Sequence, residues 1–195
     1  MILFVDTETT GVPKNYKAPV TDLENWPRLV QLGYIVYDVL DGGEVNEYTS
    51  AEFIVRPDGF VISPEVSKIH GVTQEKALTD GDSLHDVLTM FFQWASVCDT
   101  LVGHNLNFDM SILGAEFIRA DIPNILIGKA QYDTMLKSVD FCKMPGGYGG
   151  KYKWPKLKEL YHVLFNEDLA QTHTALDDIR QTAKCYFELQ RRGIR

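Results

Sequence analysis

Read for its apolar and polar positions, the chain divides into a strand-like first part and a mostly helical remainder. Ile2-Leu3-Phe4-Val5 is a short unbroken apolar run ending in Asp6, which predicts a buried strand over Ile2–Asp6, with Gly11 closing the segment. Val12–Arg28 is polar and contains Pro13, Pro19 and Pro27, so it reads as a long loop. Leu29–Asp38 and Tyr48–Val55 read as two further strands, with Asp41-Gly42-Gly43 as the turn between them. Three successive strands joined in this way predict an antiparallel meander.

The period then changes. Ser63-Pro64-Glu65 places an N-cap ahead of a proline at the first helical position, and His70-Gly71 closes that helix. Ser83 and Asp86 have the spacing of a capping box. Behind them Leu84, Val87, Leu88, Phe91, Phe92 and Ala95 recur at helical spacing. Thr100–Gly103 predicts a short strand, Asn107–Arg119 an amphipathic helix and Ala130–Tyr132 another strand. Pro145–Gly150 reads as loop, and Pro155–Phe165 and Thr174–Arg191 as helices. No repeat or linker divides the chain, so residues 1–195 are expected to form one domain. Its class is α/β: a mixed central sheet flanked by helices, with ligand sites near strand ends.

Composition adds limits. With 45% apolar and 24% charged residues, the 195-residue chain has the make-up of an ordinary soluble protein. The N-terminal apolar run is too short for an export signal or a membrane span. Cys98, Cys142 and Cys185 are widely spaced, with no metal-knuckle pattern, which suggests a reducing, cytoplasmic setting. The net charge of −8 argues against a protein that merely coats nucleic acid. It leaves room for an enzyme that meets phosphates through bound cations, since two divalent ions would add about +4 locally. Charge is also uneven. Lys143, Lys151, Lys153, Lys156 and Lys158 fall in a stretch without acids, so the rest of the chain carries −13. These lysines interleave with Tyr148, Tyr152 and Trp154, which suits either a nucleic-acid contact or a solvated loop with Trp154 anchoring the next helix.

Three segments hold candidate chemistry. In Asp6-Thr7-Glu8-Thr9-Thr10-Gly11 the strand alternation turns Asp6 and Glu8 to one face. Two close carboxylates repel unless protonated or bridged by a cation, and hard oxygen ligands favour Mg²⁺ or Mn²⁺. A solvated strand end with two exposed acids is the alternative. In Gly103-His104-Asn105-Leu106-Asn107-Phe108-Asp109, Asp109 falls in a first helical turn, where it is either a ligand or a simple response to the helix dipole. In His173-Thr174-Ala175-Leu176-Asp177-Asp178, Asp177 shares a stripe with Gln181, Lys184 and Glu188, which looks solvated. Asp178 shares one with Ala175, Thr182, Cys185 and Leu189, which looks inward. His173 suits general-base work near neutral pH, or is a capping residue.

Together these segments resemble the DnaQ-like 3′→5′ exonucleases of the DEDDh type. The motifs are D-x-E-T-T-G at Asp6–Gly11, H-N-x-x-F-D at His104–Asp109 and H-x-x-x-x-D at His173–Asp178. The last spacing selects Asp178 over Asp177. Tyrosine-type relatives carry a tyrosine four residues before the final aspartate, and Thr174 stands there instead. The resemblance implies an RNase H-like fold and two Mg²⁺ or Mn²⁺ ions held by Asp6, Glu8, Asp109 and Asp178, with His173 as general base. It implies hydrolysis from a free nucleic-acid 3′ end, with release of nucleoside 5′-monophosphates and DNA as the favoured substrate. Thr7, Thr9, Thr10, Asn105 and Phe108 would contact the terminal nucleotide. Pro64–Val72 resembles the family segment that lines the same site and adds Glu65 and His70, although His70 also suits a helix C-terminus.

Alternative roles are an RNA-trimming oligoribonuclease, a polymerase-associated proofreading subunit and a catalytically silent nucleic-acid-binding adaptor. The chain ends just after its last predicted helix, without the tethering tail of replicative epsilon subunits, which favours a free-standing enzyme. The sequence indicates no membrane contact and identifies neither a polymerase nor a homodimer partner. The loop at Val12–Arg28 looks long for the family and is a candidate for shaping substrate choice.

Overall fold

The computed structural model describes residues 1–40, 43–147, 151–169 and 175–195. The predicted turn residues Asp41 and Gly42, the loop residues Tyr148, Gly149 and Gly150, and His173 and Thr174 lie outside the described residues.

Five strands form one sheet in the order β3-β2-β1-β4-β5. β1 (Ile2–Thr9), β2 (Leu29–Val39) and β3 (Val45–Ile54) make the expected antiparallel meander. β4 (Thr100–Gly103) and β5 (Ala130–Asp133) add to it in parallel. β1 is therefore central. It runs three residues beyond the predicted end at Asp6, because the polar residues Asp6, Thr7 and Glu8 pair with Gly33, Leu32 and Gln31 of β2. A strand interior supplies those backbone partners whatever the side chains are.

Helices cover both faces. Leu3 and Val5 point into a core with α3 (Leu84–Val97) and α4 (Leu106–Arg119). Phe4, on the opposite face, packs with residues of α7 (Leu157–Phe165) and α8 (Ala175–Arg191). This is the mixed, RNase H-like layering that the resemblance implied.

The helix starts follow their caps. Ser63 Oγ accepts from Val66 N at the head of α1 (Pro64–His70), and Gly71 closes that helix in the left-handed region at φ 76°. Ser83 Oγ accepts from Asp86 N and donates to the Asp86 carboxylate. Two predicted starts move slightly. α4 begins one residue early, at Leu106. α7 begins two residues after Pro155, where Lys156 N donates to Glu159 Oε2.

Three short helices were not foreseen: α2 (Gln74–Asp80), α5 (Thr134–Lys137) and α6 (Val139–Cys142). α2 buries only Ala77 and α6 nothing, so neither imposes a hydrophobic period. The long loop before β2 is tied to α4: Glu116, fully buried, accepts from Arg28 Nε and Leu29 N, and Arg119 donates to the Trp26 carbonyl.

Candidate active site

The C-terminal end of β1 carries the acids. Asp6 and Glu8 share the Phe4 face, while the buried Thr7 and Thr9 face the other way. Asp109 approaches from α4 on the Thr7 side. It is 3% exposed, and Thr7 Oγ1 donates to its Oδ1 at 2.7 Å. Asp178 arrives from the first turn of α8 on the Asp6 side.

Their mutual fields show that these groups converge. Asp6 is pushed well above the ordinary carboxylate range, first by burial and then by Asp109, Glu8 and Asp178. Glu8 is pushed up to about 7 by burial, with Asp178 and Glu52 adding to it. Asp109 also rises to about 7, chiefly through burial. The Thr7 hydroxyl and nearby backbone N–H groups oppose that rise, and Asp133 adds to it.

Two of these neighbours, Glu52 and Asp133, were not singled out from the sequence. Each holds a helix that delivers an acid. Asp133, at the end of edge strand β5, accepts through Oδ1 from Asn105 N (3.0 Å), Met135 N (2.9 Å) and Leu136 N (3.3 Å). It thereby braces Asn105, whose left-handed backbone (φ 69°) turns the chain into α4. Glu52, on edge strand β3, accepts from Leu176 N in the first turn of α8 at 2.9 Å. Beside it, Gly33 lets α8 sit against the sheet: a Cβ there would stand 2.8 Å from Ile179 Cδ1 and 3.1 Å from Ala175 Cβ. A β-strand glutamate with no motif around it gives no local sign of this role. For Asp133, the Asp-Thr step directly after a predicted strand was a readable cap signal.

The other named residues divide. His70 is buried. Its Nδ1 accepts from Val72 N at 3.1 Å, its Nε2 has no hydrogen-bond partner among the described residues, and burial lowers its pKa. Glu65 is exposed at the start of α1. Phe108 is half-buried against the core. The threonine hydroxyls are engaged internally: Thr7 with Asp109, Thr9 donating to the Gly11 carbonyl, Thr10 accepting from Arg28 N. His104 bridges rather than faces the acids, with Nδ1 2.9 Å from Thr134 Oγ1 and Nε2 donating to the Pro155 carbonyl at 3.0 Å.

The donor set fits a hard divalent cation. Burial raises Asp6, Glu8 and Asp109, and neighbouring acids raise Asp6 and Glu8 further, so the site is one that a cation would relieve. As placed, no three Asp, Glu, His or Cys side chains among the described residues already surround a common ligation point.

Residues 3–186 match the exonuclease family RNase_T. The chain belongs to that family. The match covers all three DnaQ-like motifs, and the solved structures it resembles are exonucleases of the same fold. Escherichia coli exonuclease I in complex with a dA16 oligonucleotide superposes at a TM-score of 0.70 and 18% identity, over 97% of this chain and 40% of that one. Exonuclease I from Methylocaldum szegediense gives 0.70 and 21%, over 98% and 40%. The zinc-bound E. coli enzyme with single-stranded DNA gives 0.70 and 20%, again over 98% and 40%. The chain thus spans about two-fifths of the length of those enzymes. A search of curated proteins returns no match. Among the described residues no helix is long and apolar enough to cross a membrane.

Proposed function

We propose that this protein is a metal-dependent 3′→5′ exonuclease that removes nucleoside 5′-monophosphates from nucleic-acid 3′ ends. The observation that carries the reading is the convergence of Asp6, Glu8, Asp109 and Asp178 at the end of the central strand, each of the first two raised by Asp178. The family match narrows that acid cluster to phosphodiester hydrolysis. DNA is favoured because the similar enzymes are described with DNA oligonucleotides.

Asp6, Glu8, Asp109 and Asp178 would hold two Mg²⁺ or Mn²⁺ ions. Bound there, the ions supply charge neutralisation at the attacking and leaving oxygens. The chain's own residues do the rest. His173, five residues ahead of Asp178, takes a proton from the attacking water. Oxygen then attacks the terminal phosphorus, and the O3′ of the penultimate nucleotide leaves. Thr7 fixes the Asp109 carboxylate through its hydroxyl. With the threonine hydroxyls turned inward, Thr7, Thr9 and Thr10 meet the terminal sugar through backbone groups. Phe108 and Asn105 line its base side. Glu65 and His70 would approach from α1.

The test is 3′-end degradation of single-stranded DNA, duplex DNA and RNA with added Mg²⁺ or Mn²⁺, using Asp6→Ala as control. Metal-dependent release of 5′-mononucleotides that is absent from the control is expected. No activity on any 3′ end would overturn the proposal, and binding without turnover would point to an adaptor.

A further inference from the structure

We infer that residues 151–158 form a single-stranded nucleic-acid track beside the active site, with Trp154 as its base-stacking platform. The inference rests on the exonuclease reading and names the form of its substrate.

Trp154 is 64% exposed and Tyr152 43% exposed, whereas Trp26 is buried at 4%. An anchor for α7 would be buried, and the neighbouring Pro155 is the buried residue here. An indole left largely in water costs hydrophobic free energy that a stacked base would recover.

The backbone under it is braced. Pro155 O accepts from His104 Nε2 at 3.0 Å, which ties the segment to the strand-to-helix turn that delivers Asp109. Lys153 N donates to Met144 O, Lys153 Nζ pairs with Glu159 at 2.6 Å, and Lys156 N donates to the same carboxylate. Such a platform loses little freedom on binding.

Charge points to the same ligand. Lys153 is committed to Glu159, whereas Lys151, Lys156 and Lys158 are exposed and form no ion pair among the described residues. Three such lysines, each within four residues of the exposed Tyr152 or Trp154, on a chain of net charge −8, match a polyanion that carries flat apolar rings. Bases in a duplex are already stacked on one another, so an exposed indole selects unpaired ones.

The experiment compares a single strand of about twelve nucleotides with a dinucleotide. Trp154→Ala should raise KM for the longer strand about tenfold, the effect of losing one stacked base. It should leave kcat, and KM for the dinucleotide, unchanged, and Trp154→Phe should restore most of the loss. Replacing Lys151, Lys156 and Lys158 with Gln should reduce the slope of log KM against log salt by about 2. An active wild-type enzyme whose KM is indifferent to Trp154→Ala overturns the track. If the wild type has no activity, the exonuclease reading fails. The track is then judged by quenching of tryptophan fluorescence on titration with oligo(dT): quenching lost in Trp154→Ala supports it, and identical titrations refute it.

Discussion

The two helices that bring acids to the end of β1 are held in very different ways. The turn leading into α4 is densely bonded. Asp133 gathers three backbone N–H groups, Asn105 adopts a left-handed turn, His104 bridges to Pro155, and Asp109 is buried on the Thr7 hydroxyl. The start of α8 carries an exposed bond from Leu176 N to Glu52, together with close packing of Ala175 and Ile179 over Gly33. Asp109 sits in a buried network, whereas Asp178 comes on a helix end that rests on β2 and β3. Disturbing the first should cost stability as well as activity. Disturbing the second should cost mainly turnover.

The largest effect is expected from the acids themselves. Asp109→Ala and Asp178→Ala should each lower kcat by on the order of 10³-fold or more in a steady-state assay at saturating metal, because ligands of one site act as a unit. If either variant stays within tenfold of wild type, its carboxylate is not part of the site.

The buried acid also sets a pH dependence. Asp109 and Glu8 titrate near 7 in the folded protein, against ordinary values of 3.8 and 4.5. The folded state therefore binds more protons between about pH 4 and 7. Their stabilising contribution is full below pH 4, falls as pH rises through that window and is lost above 7. For Asp109 the change is on the order of 4 kcal/mol, at about 1.4 kcal/mol per pKa unit. Thermal melts in EDTA should show this decline, Asp109→Asn should flatten it, and Mn²⁺ should restore stability above pH 7. A melting temperature that rises between pH 5 and 7 in EDTA would contradict the assignment.

Breaking the α4 brace comes next. Asp133→Ala leaves the Asn105, Met135 and Leu136 N–H groups without their carboxylate. Chemical denaturation should show a loss of about 1–3 kcal/mol alongside reduced kcat. An unchanged midpoint would mean that the turn into α4 is less interdependent than its hydrogen bonds suggest.

The α8 brace gives the smallest effect on stability and the sharpest test of the contrast. Glu52→Ala should lower kcat about tenfold with KM and melting temperature nearly unchanged, since small misplacements of catalytic groups are costly. Glu52→Gln, whose amide oxygen still accepts the Leu176 N–H, should recover most of that rate. Gly33→Ala should also lower kcat by pushing against Ile179 and Ala175, but as an overpacking change it costs about 1–3 kcal/mol of stability too, so Glu52 is the variant that separates the two braces. Equal losses in stability from Glu52→Ala and Asp133→Ala would erase the distinction between the two helix starts.

Much of this was legible in the residues. The run Ile2–Val5 marked the central strand, Ser63-Pro64 and Gly71 marked both ends of α1, and helical spacing marked α3. Asp178, whose stripe read as inward, does act on Asp6 and Glu8, while Asp177, read as solvated, is half-buried as well. Other features were hidden. α2 and α6 bury too little to leave a period. Lys153 read as one of five lysines of a nucleic-acid contact or a solvated loop, but it pairs with Glu159, and Trp154 read equally well as a helix anchor or a contact.

The sequence by itself determined the strands and the longer helices, the mixed α/β layering, and which motifs hold the candidate acids. Those are matters of short-range period, capping and spacing, and they act within a few residues. Only the tertiary structure decided that Glu52 meets Leu176, 124 positions away, and that Gly33 makes room for α8. It alone showed that Asp133 steadies the turn before Asp109. These contacts depend on strand register and on the order β3-β2-β1-β4-β5. That order sets two edge-strand carboxylates on either side of the central pair, Asp6 and Glu8, and no local pattern encodes which distant backbone N–H each will find.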